Sequence, residues 1–258
     1  MPTQLDFSAL YDEHPEYIAR RQSGSFEQAQ IAIEVELFKL PNLLALLADG
    51  GAPSSVLEIG CATGELIAAM PVRDGGRRLG LDISAANVAV ARERHPLVEF
   101  RAGDFGALVG ESFDVVVLSD VLEHVPDDRG FLRDAATFGR QVLVNLPLED
   151  NWLNLGRRYG PDDVSGHLRR YSLEDGMSLI REAGLEVLRC KRVWVHETPA
   201  DEARRALRLA RCGAAYGGGR LGRGLRRGAF AVSRALPAIG RRLFASNLFV
   251  AARARSAS

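Results

Sequence analysis

Residues 119–124, SDVLEH, gather a hydroxyl, two carboxylates and an imidazole at the end of the apolar run FDVVVLS. An imidazole can accept a proton near neutral pH, and a neighbouring carboxylate can orient it or hold a substrate. A second imidazole follows in GHLRRYS. Of the five histidines, His124 and His167 are the candidate bases, with Asp120 as the positioning carboxylate. Beside this stand plainer readings, in which His124 bonds to backbone in its own turn and His167 anchors its loop. His95, before Pro96, reads as a surface turn residue, and His196 as a structural residue at a strand end. Asp120-x-x-Glu123-His124, with His167, also offers oxygen and nitrogen ligands for a divalent cation, but a site without metal is expected.

The stretch VLEIGCATG, residues 56–64, is a short apolar run leading into a turn with Gly60 and Gly64 four positions apart. Glu58 stands two residues before the first glycine, and Ala62 replaces the middle glycine of a G-x-G-x-x-G fingerprint. That fingerprint serves close approach of backbone to a diphosphate at a helix N-terminus. The spacing here abandons it, which disfavours a nicotinamide dinucleotide. Asp82 closes the next strand, 18 residues beyond Gly64, where a carboxylate can accept hydrogen bonds from both ribose hydroxyls. In Gly103-Asp104-Phe105 the acid can accept from the exocyclic amine of adenine while the aromatic covers the ring.

These residues must sit at the ends of strands. VLEI, RLGLDIS, VEFRAGDF, FDVVVLSD, QVLVNLPL and LEVLRCKRVWVHE read as six strands, with helices AANVAVARERH, FLRDAATFG and SLEDGMSLIREAG between them. Such alternation predicts a Rossmann-like, doubly wound, mostly parallel sheet, and SNLFVAARA supplies a seventh strand. Residues 8–22 and 26–48 read as two helices ahead of the sheet, the second kinked or split at Pro41. The expected organisation is a helical cap (1–50), a cofactor-binding core (51–198), an Arg-rich helical insertion (199–243), and the last strand and tail (244–258).

Taken together, VLEIGCATG, LGLDIS, GDF, FDVVVLSDVLEHVPD and VLVNLPL followed by GHLRRYS resemble the class I S-adenosylmethionine-dependent methyltransferases, including those that methylate quinone precursors. The resemblance covers about residues 50 to 198 and the seventh strand. It implies S-adenosyl-L-methionine as cofactor, held by Glu58, Gly60, Cys61, Gly64, Asp82, Ile83, Asp104, Phe105 and Ser119. An alanine at position 62 is tolerable because this cofactor has no pyrophosphate. It further implies methyl transfer to a small-molecule acceptor, with oxygen favoured over nitrogen or carbon, in a secondary-metabolite or glycan pathway. A cofactor-binding regulatory protein without catalysis is the alternative from another class. The helices before the first strand cap the cofactor in related enzymes, which draws notice to Tyr11 and Tyr17; Trp152 is a further aromatic in a segment able to cover the crevice.

The formal net charge is zero over 258 residues, yet it is unevenly spread. Residues 1–198 carry 20 Lys+Arg against 31 acids, a net of −11, and residues 199–258 carry 13 arginines against 2 acids, a net of +11. The eleven arginines in 204–242 suit a lid over the acceptor, an anionic membrane surface or an acidic partner. The lid is the favoured reading. Only Tyr216 and Phe230 stand among these arginines, too few aromatics for a stacking surface, so a nucleic-acid partner is disfavoured. Three cysteines far apart, no basic apolar leader and no apolar run long enough to span a bilayer predict a reducing, cytoplasmic setting.

Overall fold

The computed structural model describes residues 11–255 except 14, 48–50, 152–153, 155, 161–162, 164, 197, 213–227, 229–230, 233–234 and 237–243. Trp152, the glycine-rich break and most of the second basic stretch therefore lie outside the described residues. Among the described residues seven strands form one sheet: β1 (Ser55–Ile59), β2 (Arg77–Asp82), β3 (Glu99–Ala102), β4 (Phe113–Ser119), β5 (Gly139–Leu148), β6 (Leu185–Trp194) and β7 (Ser246–Ala254). Their spatial order is β3-β2-β1-β4-β5-β7-β6. The β1–β2, β1–β4, β2–β3 and β4–β5 pairings are parallel, and β7 runs antiparallel to both β5 and β6. The doubly wound, mostly parallel sheet expected from the sequence is thus present.

Period-two alternation sends each strand's side chains to two apolar layers. Leu57, Val116, Leu118, Leu248 and Val250 face one layer, closed by α6 (Asp128–Ala136) and α7 (Leu173–Glu182). Val56, Val115, Val117, Phe249 and Ala251 face the other. That second face is covered by α4 (Glu65–Ala69), α5 (Ala85–Arg94) and the N-terminal helices α2 (Phe26–Glu34) and α3 (Leu40–Leu44), with α1 (Pro15–Arg21) packed on α2.

Pro41 does not split the cap. A single π turn, Val35–Lys39, joins α2 to α3, with the Leu40 N–H bonded to the Val35 carbonyl. The wider turn absorbs the missing proline donor without ending the helix. It also changes which face is buried: α2 has no buried residue, whereas Val35, Phe38 and Leu43 point into the sheet. Helix α6 begins three residues before the expected FLRDAATFG because Asp127 caps it, accepting from the Gly130 N–H at 2.9 Å.

The basic end starts as α8 (Pro199–Cys212), which lies along α2. Arg204 pairs with Glu34 at 3.0 Å, Arg208 donates to Gln30 at 3.1 Å, and the Arg211 guanidinium lies 4.5 Å from the Phe26 ring. Ala200 is buried in the core and Leu207 half-buried, whereas Leu209 and Ala210 stay exposed. No helix among the described residues is long and apolar enough to cross a membrane.

Phe249 is fully buried, and its ring meets Phe38 of the cap edge-on at 5.6 Å. Phe249→Ala should cost about 3–5 kcal/mol by opening a cavity between cap and sheet, read as a lower urea midpoint with an unchanged m-value.

Candidate functional site

The parallel strands β1 to β5 bring their carboxyl ends to one edge of the sheet, the candidate crevice. At its floor is the turn after β1, where Gly60, Ala62 and Gly64 have φ of 76°, 46° and 88°. A side chain at Gly60 would bring a Cβ within 2.6 Å of Val121, and one at Gly64 within 2.6 Å of Phe100. Only glycine lets this turn lie against both the β4 turn and β3. Ala62 tolerates its left-handed backbone because its N–H donates to Asp82 Oδ2 at 2.7 Å. The other oxygen of Asp82 accepts from Ser84 N at 2.9 Å. Burial pushes the Asp82 carboxyl up from its ordinary value, against the pull of those two amides.

Three further acids stand nearby. Glu58 is buried with Oε2 unpartnered; burial pushes its pKa up to about 8, although the Lys39 charge opposes this. Glu123 is buried with neither carboxylate oxygen bonded, and burial followed by the Asp120 charge holds its pKa well above the ordinary range. Asp120 adopts φ 56° and is held by Lys39 Nζ at 2.6 Å and Asn145 Nδ2 at 3.1 Å. Burial alone would lower the Lys39 ammonium, but Asp120 and Glu34 together raise it. Ser119 is buried and accepts from the same Asn145 at 3.0 Å.

His124 and His167 come together, ring centroids 4.7 Å apart and nearly perpendicular. His124 Nδ1 lies 3.1 Å from the Gly166 carbonyl, which can only accept. His124 is therefore the Nδ1–H tautomer, with its Nε2 lone pair 3.9 Å from Glu123. Burial, then the His167 charge, lowers its pKa to about 4. His167 Nδ1 bonds Glu149 Oε2 at 2.8 Å. Glu123, His124 and His167 place one possible ligand atom each within 4.8 Å of one another. Asp120 turns away to Lys39, so the acid expected to open a metal motif does not join this group.

Of the remaining expected residues, Ile83 is 45% exposed beside Asp82, an unusual place for an apolar side chain. Asp104 is exposed and caps the short helix Phe105–Leu108 through Gly106 N. Phe105 packs against Phe131 and Phe138, at 4.8 and 5.7 Å. The Cys61 thiol is buried beneath the turn, and burial raises its pKa. His95 is not a free surface residue: it is half-buried beneath Gly64 and beside Phe100. His196 packs edge-on against Phe244.

The cap closes over the crevice. Arg21 donates to the Tyr11 and Asp12 carbonyls, each at 2.5 Å, and the Ser84 hydroxyl bonds the Asp12 carboxylate. Tyr11 thereby stands 4.8 Å from Tyr17 and 6.1 Å from His124, ring to ring. Sequence reasoning missed Lys39, Glu149 and Arg157. Glu149 had a signal, since it follows β5 directly, as Asp120 follows β4. Lys39 is one of two lysines and sits alone among apolar residues in LFKLP.

Comparison with known proteins decides the family. The model of a methyltransferase-domain family matches residues 30–189. The chain belongs to this methyltransferase family. It is 33% identical over 144 residues to a probable S-adenosylmethionine-dependent methyltransferase of Mycolicibacterium smegmatis, over 55% of each protein. It is 39% identical over 160 residues to a ubiquinone biosynthesis O-methyltransferase of Pseudomonas aeruginosa, over 54% of this chain and 67% of that one. The first of these matches spans little more than half of the relative's length. Magnesium protoporphyrin IX methyltransferase from Synechocystis PCC 6803, solved with bound S-adenosylhomocysteine, shares the fold at TM-score 0.59 and 15% identity, over 96% of this chain and 98% of its own. So does a complex of the Haloferax volcanii Trm112 activator with a methyltransferase, at TM-score 0.61 and 19% identity, over 95% and 99%. Family match and neighbours agree on one architecture, the Rossmann-like methyltransferase fold.

Glu58 carries a pH signature of the crevice. Its carboxyl rises from 4.5 to about 8 on folding, so the native state binds the extra proton between those values. Stability from this group is complete below pH 4.5 and lost as pH rises through 8. Glu58→Gln should therefore be more stable than the parent at pH 8.5 and gain nothing at about pH 4.5, in paired urea titrations.

Proposed function

We propose that the methyltransferase acts on a hydroxyl of a small-molecule acceptor, and that the crevice at the ends of β1, β2 and β4 holds the cofactor. The observation that carries the acceptor reading is the half-buried His124–His167 pair beside the buried Glu123, a proton-accepting group at the end of β4. The residues fit the cofactor chemically. Asp82 retains lone pairs for a ribose diol after serving two amides, and Ile83 offers an apolar platform for adenine. Gly60, Cys61 and Gly64 line the turn against which the amino-acid chain would lie, with Asp104, Phe105 and Ser119 at the neighbouring strand ends. The unpartnered Glu58 oxygen can accept from its ammonium, Asp120 suits its positive charge, and Lys39 suits its carboxylate.

When bound, the cofactor supplies a methyl group on a sulfonium whose carbon–sulfur electron pair leaves with sulfur. The chain's own part is to align the acceptor oxygen and take its proton. His167 is better suited to that task than His124, which its buried position keeps neutral and poorly basic. Cap and loop exclude water: the Tyr17 hydroxyl donates to the Ser165 carbonyl at 3.1 Å, tying α1 to the loop that carries His167. The quinone-pathway name of relatives such as the Pseudomonas enzyme supports an oxygen acceptor. Secondary-metabolite and glycan hydroxyls belong to the same class. The contacts of α8 with α2 support a lid for that helix.

Asp82→Ala should weaken S-adenosylhomocysteine binding by about 1.5–3 kcal/mol, measured by calorimetry; unchanged affinity would remove the ribose from this position. His167→Ala should lower turnover about 10²–10⁴-fold while leaving that affinity intact. Turnover abolished by a chelator and restored by Mg²⁺ would instead make Glu123, His124 and His167 a metal site.

A further inference from the structure

Beyond the two histidines, the loop after β5 holds a charged chain that the reading above leaves unused. Glu149 accepts from His167 Nδ1 through one oxygen at 2.8 Å and from Arg157 through the other at 2.5 Å. Arg157 is fixed in turn by both oxygens of Asp163, at 2.8 and 3.0 Å, and lies over the Tyr159 ring at 4.9 Å. Asp163 also accepts from the backbone N–H groups of Ser165 and His167. The far side of the loop is pinned by the Leu168 N–H on the Glu123 carbonyl at 2.8 Å. His167, Glu149 and Arg157 are all largely sheltered, with 15%, 14% and 26% of their side chains exposed.

We infer that Glu149 is a positioning residue, clamped by Arg157, that holds His167 as the Nδ1–H tautomer so that its Nε2 lone pair is free for the acceptor. A carboxylate has no proton to give at this contact, so the imidazole must be the donor and Nδ1 the protonated atom. Arg157 makes the arrangement one-directional. A guanidinium only donates, so any group at position 149 must turn an acceptor towards it. A carboxylate can satisfy both neighbours at once. In the reaction, the acceptor's O–H proton passes to Nε2, the bonding pair stays on the oxygen that takes the methyl, and the imidazolium charge falls beside the Glu149 carboxylate. The inference rests on the hydroxyl-acceptor reading for its catalytic consequence, not for the tautomer.

Glu149→Gln separates these ideas because it is nearly isosteric. Its single carbonyl oxygen must face Arg157, which turns the amide NH₂ towards His167 and forces the proton from Nδ1 to Nε2. With the histidines selectively labelled with ¹⁵N, two-bond nitrogen–proton spectra should show His167 protonated at Nδ1 in the parent and at Nε2 in the variant. With catechol as acceptor and release of S-adenosylhomocysteine as the readout, kcat should fall about 10²–10⁴-fold. KM for catechol and the calorimetric affinity for S-adenosylhomocysteine should stay within about twofold, the latter also showing that the variant is folded. Glu149→Asp, which keeps two acceptor oxygens, should retain the parent tautomer and recover part of the rate. A parent His167 protonated at Nε2, an unmoved proton in Glu149→Gln, or parent-like kcat in that variant would overturn the inference. Failure to methylate catechol or any other hydroxyl in the parent would count against the acceptor reading alone, since the tautomer is read without turnover.

Discussion

The crowding of acidic side chains at the carboxyl ends of the strands is the constraint around which the crevice is organised. Glu58, Asp82, Asp120 and Glu123 project from β1, β2 and the turn after β4 into a space where water screens little. Carboxyl groups so placed cannot all ionise: the surrounding structure supplies side-chain or amide donors to Asp82 and Asp120, while burial holds Glu58 and Glu123 well above the usual carboxylate range. The Ala62 and Ser84 amides serve Asp82, while Asn145 and Lys39 serve Asp120. That demand explains two local irregularities. Ala62 and Asp120 both occupy left-handed backbone, and each is held there by a bond to or from a crevice carboxylate. The π turn has a matching role, since it presents Lys39 to the crevice while Phe38 beside it packs on the sheet.

The same ion pairs join distant parts of the chain. Glu34 takes Arg204 of α8 on one oxygen and lies 3.6 Å from Lys39 on the other, and Lys39 reaches Asp120. The basic C-terminal helix, the cap and the β4 turn thus share one line of alternating charge. On the opposite side of the crevice, Asp163, Arg157, Glu149 and His167 form a second such line. Both lines are sheltered enough that their energies depend on partners being present together rather than on any one contact.

Much of the fold was legible because strands buried on both faces read as continuous apolar runs, and FDVVVLS and VLVNLPL could scarcely be anything else. The cofactor side was legible for a related reason: its glycines and acids occupy fixed offsets from strand ends. What escaped was whatever depends on packing between distant segments. Pro41 reads as a break, and only the space available between cap and sheet allows a π turn instead. His95 reads as surface because its burial comes from Gly64 and Phe100, remote in sequence or spacing pattern. Arg157 and Lys39 carry no motif; each matters through the acid it meets, and those meetings are set by the fold.

The placement of β7 bears on how the protein is made. β6 has β7 as its sheet neighbour, and β7 lies between β5 and β6. During synthesis β6 emerges first and must wait, its ladder groups unpaired, until residues 246–254 arrive. Leu248, Val250 and Ala252 then enter one apolar layer while Phe249 and Ala251 enter the other, so a single late strand completes both. Until that moment the nascent chain exposes a sheet edge and two unfinished layers, the features that make a folding intermediate prone to self-association and a client for chaperones.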